Sequence, residues 1–454
     1  MQRRLLWTAA LLLTGACIHI APRPVDPAAT AQALESRSLA DANMQAFVAA
    51  RSTAKPPIAR WDLDTLTLAA FYFHPGLDVT RAQAAVARAA IVTAGERPNP
   101  TISIPIEHKA EAHPWITVID IDVPIETANK RGLRRREATD AARAADLAIA
   151  QQAWQVRSSI RAQLVALNAA DAAIAALDRQ RAVQQDLVEA LQKRLELGEG
   201  SQVELAQARI SARQSEMLRL DRIAQRAQAR ARLAASIGIP ESGLGDVAVA
   251  FDAPLMQSPP DLRERALITR PDVLMALADY AASESALRLE LAKQYPDIHI
   301  APGLGWDQGA RRWDLGFSAT LPIFSRNRGA IGEAVARRSL SETRFIALQS
   351  NVIAAVDEAS AAYREAMHKV DEAAAVVTIQ KRQLEVAQHF FEAGEADRVA
   401  LRTAELELQT ATLAHAEAVR QAQTALGALE DAVEQPLNGS RIPAVPATTA
   451  RETR

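Results

Sequence analysis

Cysteine is almost absent. Cys17 is alone among 454 residues, which excludes an intramolecular disulfide as a source of stability. Net charge is nearly absent too, with 52 Lys and Arg against 54 Asp and Glu, so no electrostatic footprint for nucleic acid exists. No Walker loop, His-Glu-x-x-His or Cys-x-x-Cys occurs, and Gly303-x-Gly305 fails to complete a dinucleotide fingerprint. The eight histidines are scattered. These absences argue against catalysis, a cofactor and a metal centre. The apolar run Leu5 to Leu13 falls short of the roughly 20 residues that a membrane-spanning helix needs. Glycine and proline almost vanish over 133–197 and 330–393, where nothing interrupts a helix.

What is present begins with export. Arg3 and Arg4, the apolar run, and Thr14-Gly15-Ala16 before Cys17 have the layout of a secretory signal over 1–16. The position of Cys17 resembles a bacterial lipoprotein box, which implies acylation of this residue, although ordinary cleavage after Ala16 is also compatible. Ile18 lacks the Asp that commonly holds such lipoproteins at the inner membrane, so the resemblance points to the outer one. Residues 17–57, rich in Pro, Ala and Ser, are expected to form an extended or weakly helical leader.

The chain then says the same thing twice. Pro100, Pro124, Gly132 and Gly198 recur as Pro296, Pro322, Gly329 and Gly394, at separations of 196, 198, 197 and 196. Such an offset marks a duplication, here with repeats over 58–238 and 261–434, a Pro- and Gly-rich linker over 239–260 and a disordered tail over 435–454. Each repeat opens with alternation of period two. Strands are expected at about 101–107 and 115–123, and again at about 298–306 and 313–321. Ile298, Ile300, Leu304 and Trp306 share one face, as do Trp313, Leu315 and Phe317, with small or polar residues opposite. Trp115, Trp306 and Trp313 flank the hairpin loops, where an interfacial girdle would sit. Four strands cannot close a barrel, which needs about eight, and bare edges are unsatisfied in lipid. The barrel must be shared between copies: two give eight strands, three give twelve.

After the strands come two rods, 133–197 and 330–393, each of about 100 Å at 1.5 Å per residue. Each stops at a glycine and returns as a shorter helix ending near Ile237 or Val433, with Ser201 and Asp397 as N-caps.

Ala94-Gly95-Glu96-Arg97-Pro98-Asn99-Pro100 before the first strand, Tyr295-Pro296 before the third, Leu321-Pro322-Ile323-Phe324-Ser325-Arg326-Asn327-Arg328-Gly329 after the fourth, and the two glycine tips together resemble outer-membrane efflux proteins of the TolC family. The likeness covers about 60–435. It implies a fold that is mainly α with a membrane β-barrel portion: an α-helical tunnel plus a 12-stranded barrel shared by a homotrimer, four strands per chain. It further implies a passive duct that docks on a periplasmic adaptor (membrane fusion) protein and an inner-membrane RND-type pump, in contact with outer-membrane lipid. The Leu321 to Gly329 stretch is similar to members serving heavy-metal pumps, with close variants among exporters of organic compounds, so both substrate classes stay open. The rival is a lipid-anchored periplasmic scaffold or adaptor without a pore.

The resemblance assigns adaptor docking and gating to the tips: Gly198, Glu199, Ser201 and Glu204 in the first repeat, Gly394, Glu395 and Asp397 in the second. Relatives place acidic residues six and nine positions beyond the second tip glycine; here these are Ala400 and Thr403, leaving Glu204, Asp397 or Glu405 to supply the charge. Alternation places Asp120, Asp122, His299 and Asp314 on the lumen-facing side of the strands, either as a cation-favouring ring or as a wetted wall. Arg131, Arg134, Arg135, Arg136, Arg326 and Arg328 gather where strands pass into helices, open to lipid headgroups, neighbouring carboxylates or plain solvation.

Overall fold

The computed structural model describes residues 20–108, 110, 115–246, 248–249, 251, 255–256, 259–307 and 310–438. Cys17 lies outside them, as do the signal region and residues 439–454 of the expected tail.

The order of elements is α1 (Pro27–Glu35), α2 (Ala42–Ala49), β1 (Arg60–Trp61), α3 (Leu63–Phe73), α4 (Pro75–Ala94), β2 (Thr101–Ser103), β3 (Ile106–His108), β4 (Trp115–Ile125), α5 (Lys130–Glu196), α6 (Gln202–Ile237), a 3-10 turn (Glu241–Leu244), β5 (Ala248–Val249), α7 (Leu262–Thr269), α8 (Pro271–Ala292), β6 (Ile298–Asp307), β7 (Ala310–Ala319), α9 (Arg328–Glu392) and α10 (Arg398–Val433). The rods are 67 and 65 residues long. They pack with their return helices into a palisade of order α6, α5, α10, α9.

Local chemistry sets the boundaries. Asp62 and Thr65 form a reciprocal capping box that starts α3, each side chain taking up the other's backbone N–H at 2.9 Å. Proline at the first position of α4 cannot continue the α3 ladder, and the chain turns at His74. Strand passes into rod through two consecutive left-handed residues in each repeat, Ala128 and Asn129 before α5, Arg326 and Asn327 before α9. The repeated glycines just beyond differ in purpose. A Cβ on Gly132 would collide with the Asn129 side chain, whereas one on Gly329 would meet open space.

The first core gathers Leu66, Phe71, Phe73 and Leu77 of α3 and α4 with Ile160 and Leu164 of α5 and Leu233 and Ile237 of α6. Burying each large side chain contributes about 1.5–3 kcal/mol. The second gathers Val273 of α8, Val352, Val356 and Tyr363 of α9, and Leu426, Leu429 and Val433 of α10.

Three expectations change. The leader is partly core: Leu39, Met44, Phe47 and Val48 are buried in the first cluster, because α2 brings Met44, Phe47 and Val48 to one flank. The linker is fastened rather than free. Its β5 pairs in parallel with β1, and the Tyr363 hydroxyl accepts from the Met256 backbone N–H at 3.0 Å while donating to its carbonyl at 2.5 Å. The start of the tail is ordered too, with Leu437 buried and its N–H donating to Glu430 Oε1 at 3.0 Å.

Candidate functional site: the two-faced sheet and the hairpin tips

The larger sheet runs β2-β4-β6-β7, with β3 also on β4. The first expected strand is thus split at Ile104-Pro105, since proline cannot donate to the ladder; the Pro105 carbonyl instead accepts from Val118 at 3.2 Å. β4 runs on to Ile125, and β7 ends at Ala319, two residues before the predicted limit. β2 and β7 are the outer strands.

Register sorts the side chains as alternation predicts. Thr117, Ile119 and Val123 of β4 stand beside Trp306, Leu304 and Ile300 of β6, and Leu304 and Ile300 beside Trp313 and Phe317 of β7. This face is uncovered: Ile102, Ile119, Val123, Ile298, Leu304, Leu315 and Phe317 are exposed, and Trp313 is 77% exposed at the hairpin end. A contiguous apolar surface of this kind on a sheet with open edges marks contact with lipid or with another chain.

The opposite face carries the predicted polar residues, and the structure brings them together. Asp120, Gly303 and Asp314 sit side by side across three strands. Both carboxylates lean over the glycine, so that a Cβ there would collide with each. His299 Nδ1 lies 2.9 Å from Asp122 Oδ2. Gly303, in sequence only half of an incomplete dinucleotide fingerprint, is thus part of the candidate site.

Below the sheet, two arginines of the collar, Arg131 and Arg134, are engaged by the protein itself. Arg131 Nε donates to the Gly95 carbonyl, and Arg134 holds Glu126 with both Nη atoms. That pairing pushes the Arg134 guanidinium above its ordinary range. Lys130, buried at the helix start, donates to the Tyr295 carbonyl and Asp297 Oδ1, both at 2.7 Å. It was missed because a lysine at a helix N-terminus opposes the dipole; the partner that offsets this comes from the other repeat.

At the far end, Gly198 and Gly394 adopt φ of +77° and +75°, the left-handed conformation of a helix C-cap. Ser201 Oγ accepts from Val203 N at 3.2 Å and Asp397 Oδ1 from Ala400 N at 2.8 Å. The two tips are tied: Arg194 Nη1 meets Asp397 Oδ2 at 3.0 Å, and Arg402 bridges Asp186 at 2.8 Å and Glu405 at 2.6 Å. Asp397 and Glu405 are therefore neutralised within the chain. Glu199, Glu204 and Glu395 stay exposed, and Glu204 makes no ion pair among the described residues. Arg194, which neutralises Asp397, carried no signal in the sequence, since the two stand 203 positions apart; Arg402 and Glu405 are only three apart.

Comparison with known proteins agrees with this geometry. Residues 262–433 match the Outer membrane efflux protein family. The Cobalt-zinc-cadmium resistance protein CzcC of Cupriavidus metallidurans is 27% identical over 265 residues, 55% of this chain and 60% of that protein, so the match spans less than two thirds of the relative. The outer membrane protein VceC of Vibrio cholerae superposes with a TM-score of 0.68 at 18% identity, covering 82% of this chain and 96% of that one. The open state of the Neisseria gonorrhoeae MtrE outer membrane channel gives 0.67 at 16% identity, covering 82% and 89%. The chain is thus similar to outer membrane efflux proteins in sequence over residues 262–433, and it shares its fold with solved outer-membrane channels.

Proposed function

We propose that three copies of this chain form a passive outer-membrane duct that receives substrates from an inner-membrane RND-type pump through a periplasmic adaptor. The observation that carries this reading is the uncovered apolar face of an unclosed sheet, four strands wide with the first split into β2 and β3, mounted on helical hairpins of about 100 Å. Such a face needs lipid around it, and its open edges need strands from other copies. Twelve strands from three copies leave an aqueous lumen lined by Asp120, Asp122, His299 and Asp314. The hairpin tips dock on the adaptor, and acylation of Cys17 fastens the leader to the same membrane. A pore-free scaffold has no use for the apolar sheet face.

CzcC carries cobalt, zinc and cadmium resistance in its name, which supports divalent metal cations as the exported class. Purified protein in a planar bilayer should conduct ions and migrate as a heat-modifiable trimer. A soluble, non-conducting monomer overturns the duct. Deletion in the native host should sensitise cells to cobalt, zinc or cadmium; sensitivity to organic compounds alone would reassign the substrate.

A further inference from the structure

We propose that the helical body carries a binding site for small organic anions, in a cleft between α5, α6 and α10. The cleft holds about 660 Å³, a size that accepts drug-like molecules. It opens on the flank of α5 turned away from the first core. Ile160 and Leu164 point into that core, while Ala162, Ala166 and Ala169 line the cleft, about half a turn round at 3.6 residues per turn.

Its chemistry is two-part. Alanines from all three helices make an apolar floor, and Arg161, Arg222, Arg232 and Arg420 stand around it. Asp431 is the one carboxylate in this wall among the described residues, and it is held by the Ser158 hydroxyl at 2.6 Å and Trp154 Nε1 at 2.9 Å. Arg161 and Arg420 have carboxylate partners, Glu430 at 3.1 Å and Glu417 at 2.5 Å. Arg222 and Arg232 have none within 4.0 Å among the described residues, which leaves positive charge in excess. Arg222 spends Nη1 on Gln225 at 2.9 Å.

Two donors call for a ligand. Arg161 is 5% exposed, and both its Nη2 and the Nε of Arg222 are buried without a hydrogen-bond partner. A buried N–H in that state is costly unless an acceptor reaches it. The Arg161 guanidinium occupies the place where a Cβ on residue 427 would stand, so Gly427 admits it despite the roughly 1 kcal/mol that a glycine costs inside a helix. An oxyanion joined to an apolar ring satisfies both parts of the cleft, since charge-assisted hydrogen bonds hold the head and the alanines take the ring.

The site goes beyond the duct and does not depend on it, because a protein that failed to conduct would bind equally. The test is equilibrium dialysis of naphthalene-2-sulfonate against the full-length protein in detergent, with 2-naphthalenemethanol as the uncharged counterpart and protein-free micelles as the blank. One saturable sulfonate site per chain is expected, at least about tenfold tighter than the alcohol. Arg222→Gln with Arg232→Gln, both on the accessible rim, should weaken the sulfonate about tenfold and leave the alcohol unchanged. Ala166→Trp, which fills the floor but keeps the arginines, should remove the site at an unaltered thermal midpoint. No saturable binding, equal uptake of the alcohol, or an unchanged affinity in the arginine variant would overturn the proposal.

Discussion

The rods α5 and α9 occupy the same place in the repeat, yet they live in different surroundings. α5 has 19 buried residues and α9 five. The cause is position: α5 lies between α6 and α10, whereas α9 is an end member of the palisade. α5 holds buried polar groups such as Arg157, Arg161 and Gln184, satisfied in part by Glu430. α9 instead leaves Val335, Ile346, Ile379, Val386 and Phe390 in the open. At the other end, α6 exposes Val203, Ile210 and Met217, spaced seven apart as in a coiled-coil seam. Duplication supplied two like helices, and the palisade made one a keel and the other an edge.

The comparison breaks most sharply if core and edge respond alike to truncation. Ile160→Ala, at a site with 0% exposure, should cost about 2–5 kcal/mol, read as a loss of chemical-denaturation stability. Ile379→Ala, 55% exposed, should stay within about 0.5 kcal/mol.

Charge at the two edges tests what covers them. Ile210→Glu and Ile379→Glu should each preserve helical content while removing the heat-resistant oligomer, since an unpaired carboxylate in an apolar seam is costly. An oligomer unaffected by both would put the seams in solvent.

A smaller effect distinguishes the second repeat by pH. Burial foremost, then Asp272, pushes Glu434 up to about 7, with Arg270 opposing. A carboxyl raised on folding contributes stability that is fully present below its ordinary value near 4.5 and is lost as pH rises through about 7. Glu434→Gln should flatten the midpoint-against-pH curve across that window, with its largest gain over the parent above pH 7. A curve unchanged in slope would remove Glu434 from the account.

The smallest difference is between the tips. Ser201→Ala and Asp397→Ala should each cost about 1 kcal/mol as lost N-caps. The second should cost slightly more, because it also frees Arg194. Amide exchange at the tips should quicken more for Asp397→Ala, with the global midpoint barely moved.

Much of this was legible in the chain. The rods were readable to within three residues because a run without Gly or Pro has one local solution, and the glycine tips because they alone interrupt it. Strand faces followed from period two, so Asp120, Asp122, His299 and Asp314 fell on their common side. What stayed hidden depends on distant partners. The burial of Met44 and Val48 needs α3 and α5 to be in place, and the pairing of Asp397 with Arg194 needs two tips brought together. Gly303 was visible as a glycine, but its reason, two carboxylates converging over it, exists only once three strands are in register.

The paired left-handed residues ahead of each rod have one more consequence. Ala128, Asn129, Arg326 and Asn327 each accept about 1–2 kcal/mol of steric cost, and Asn327 is anchored by its side-chain amide to the Glu290 carbonyl and carboxylate at 2.8 and 2.9 Å. A joint held in that way does not swing. Each chain resembles a cooper's stave with its bevel cut in advance, once in each repeat. In a ring of identical staves, the bevel and not the hoop decides how many fit.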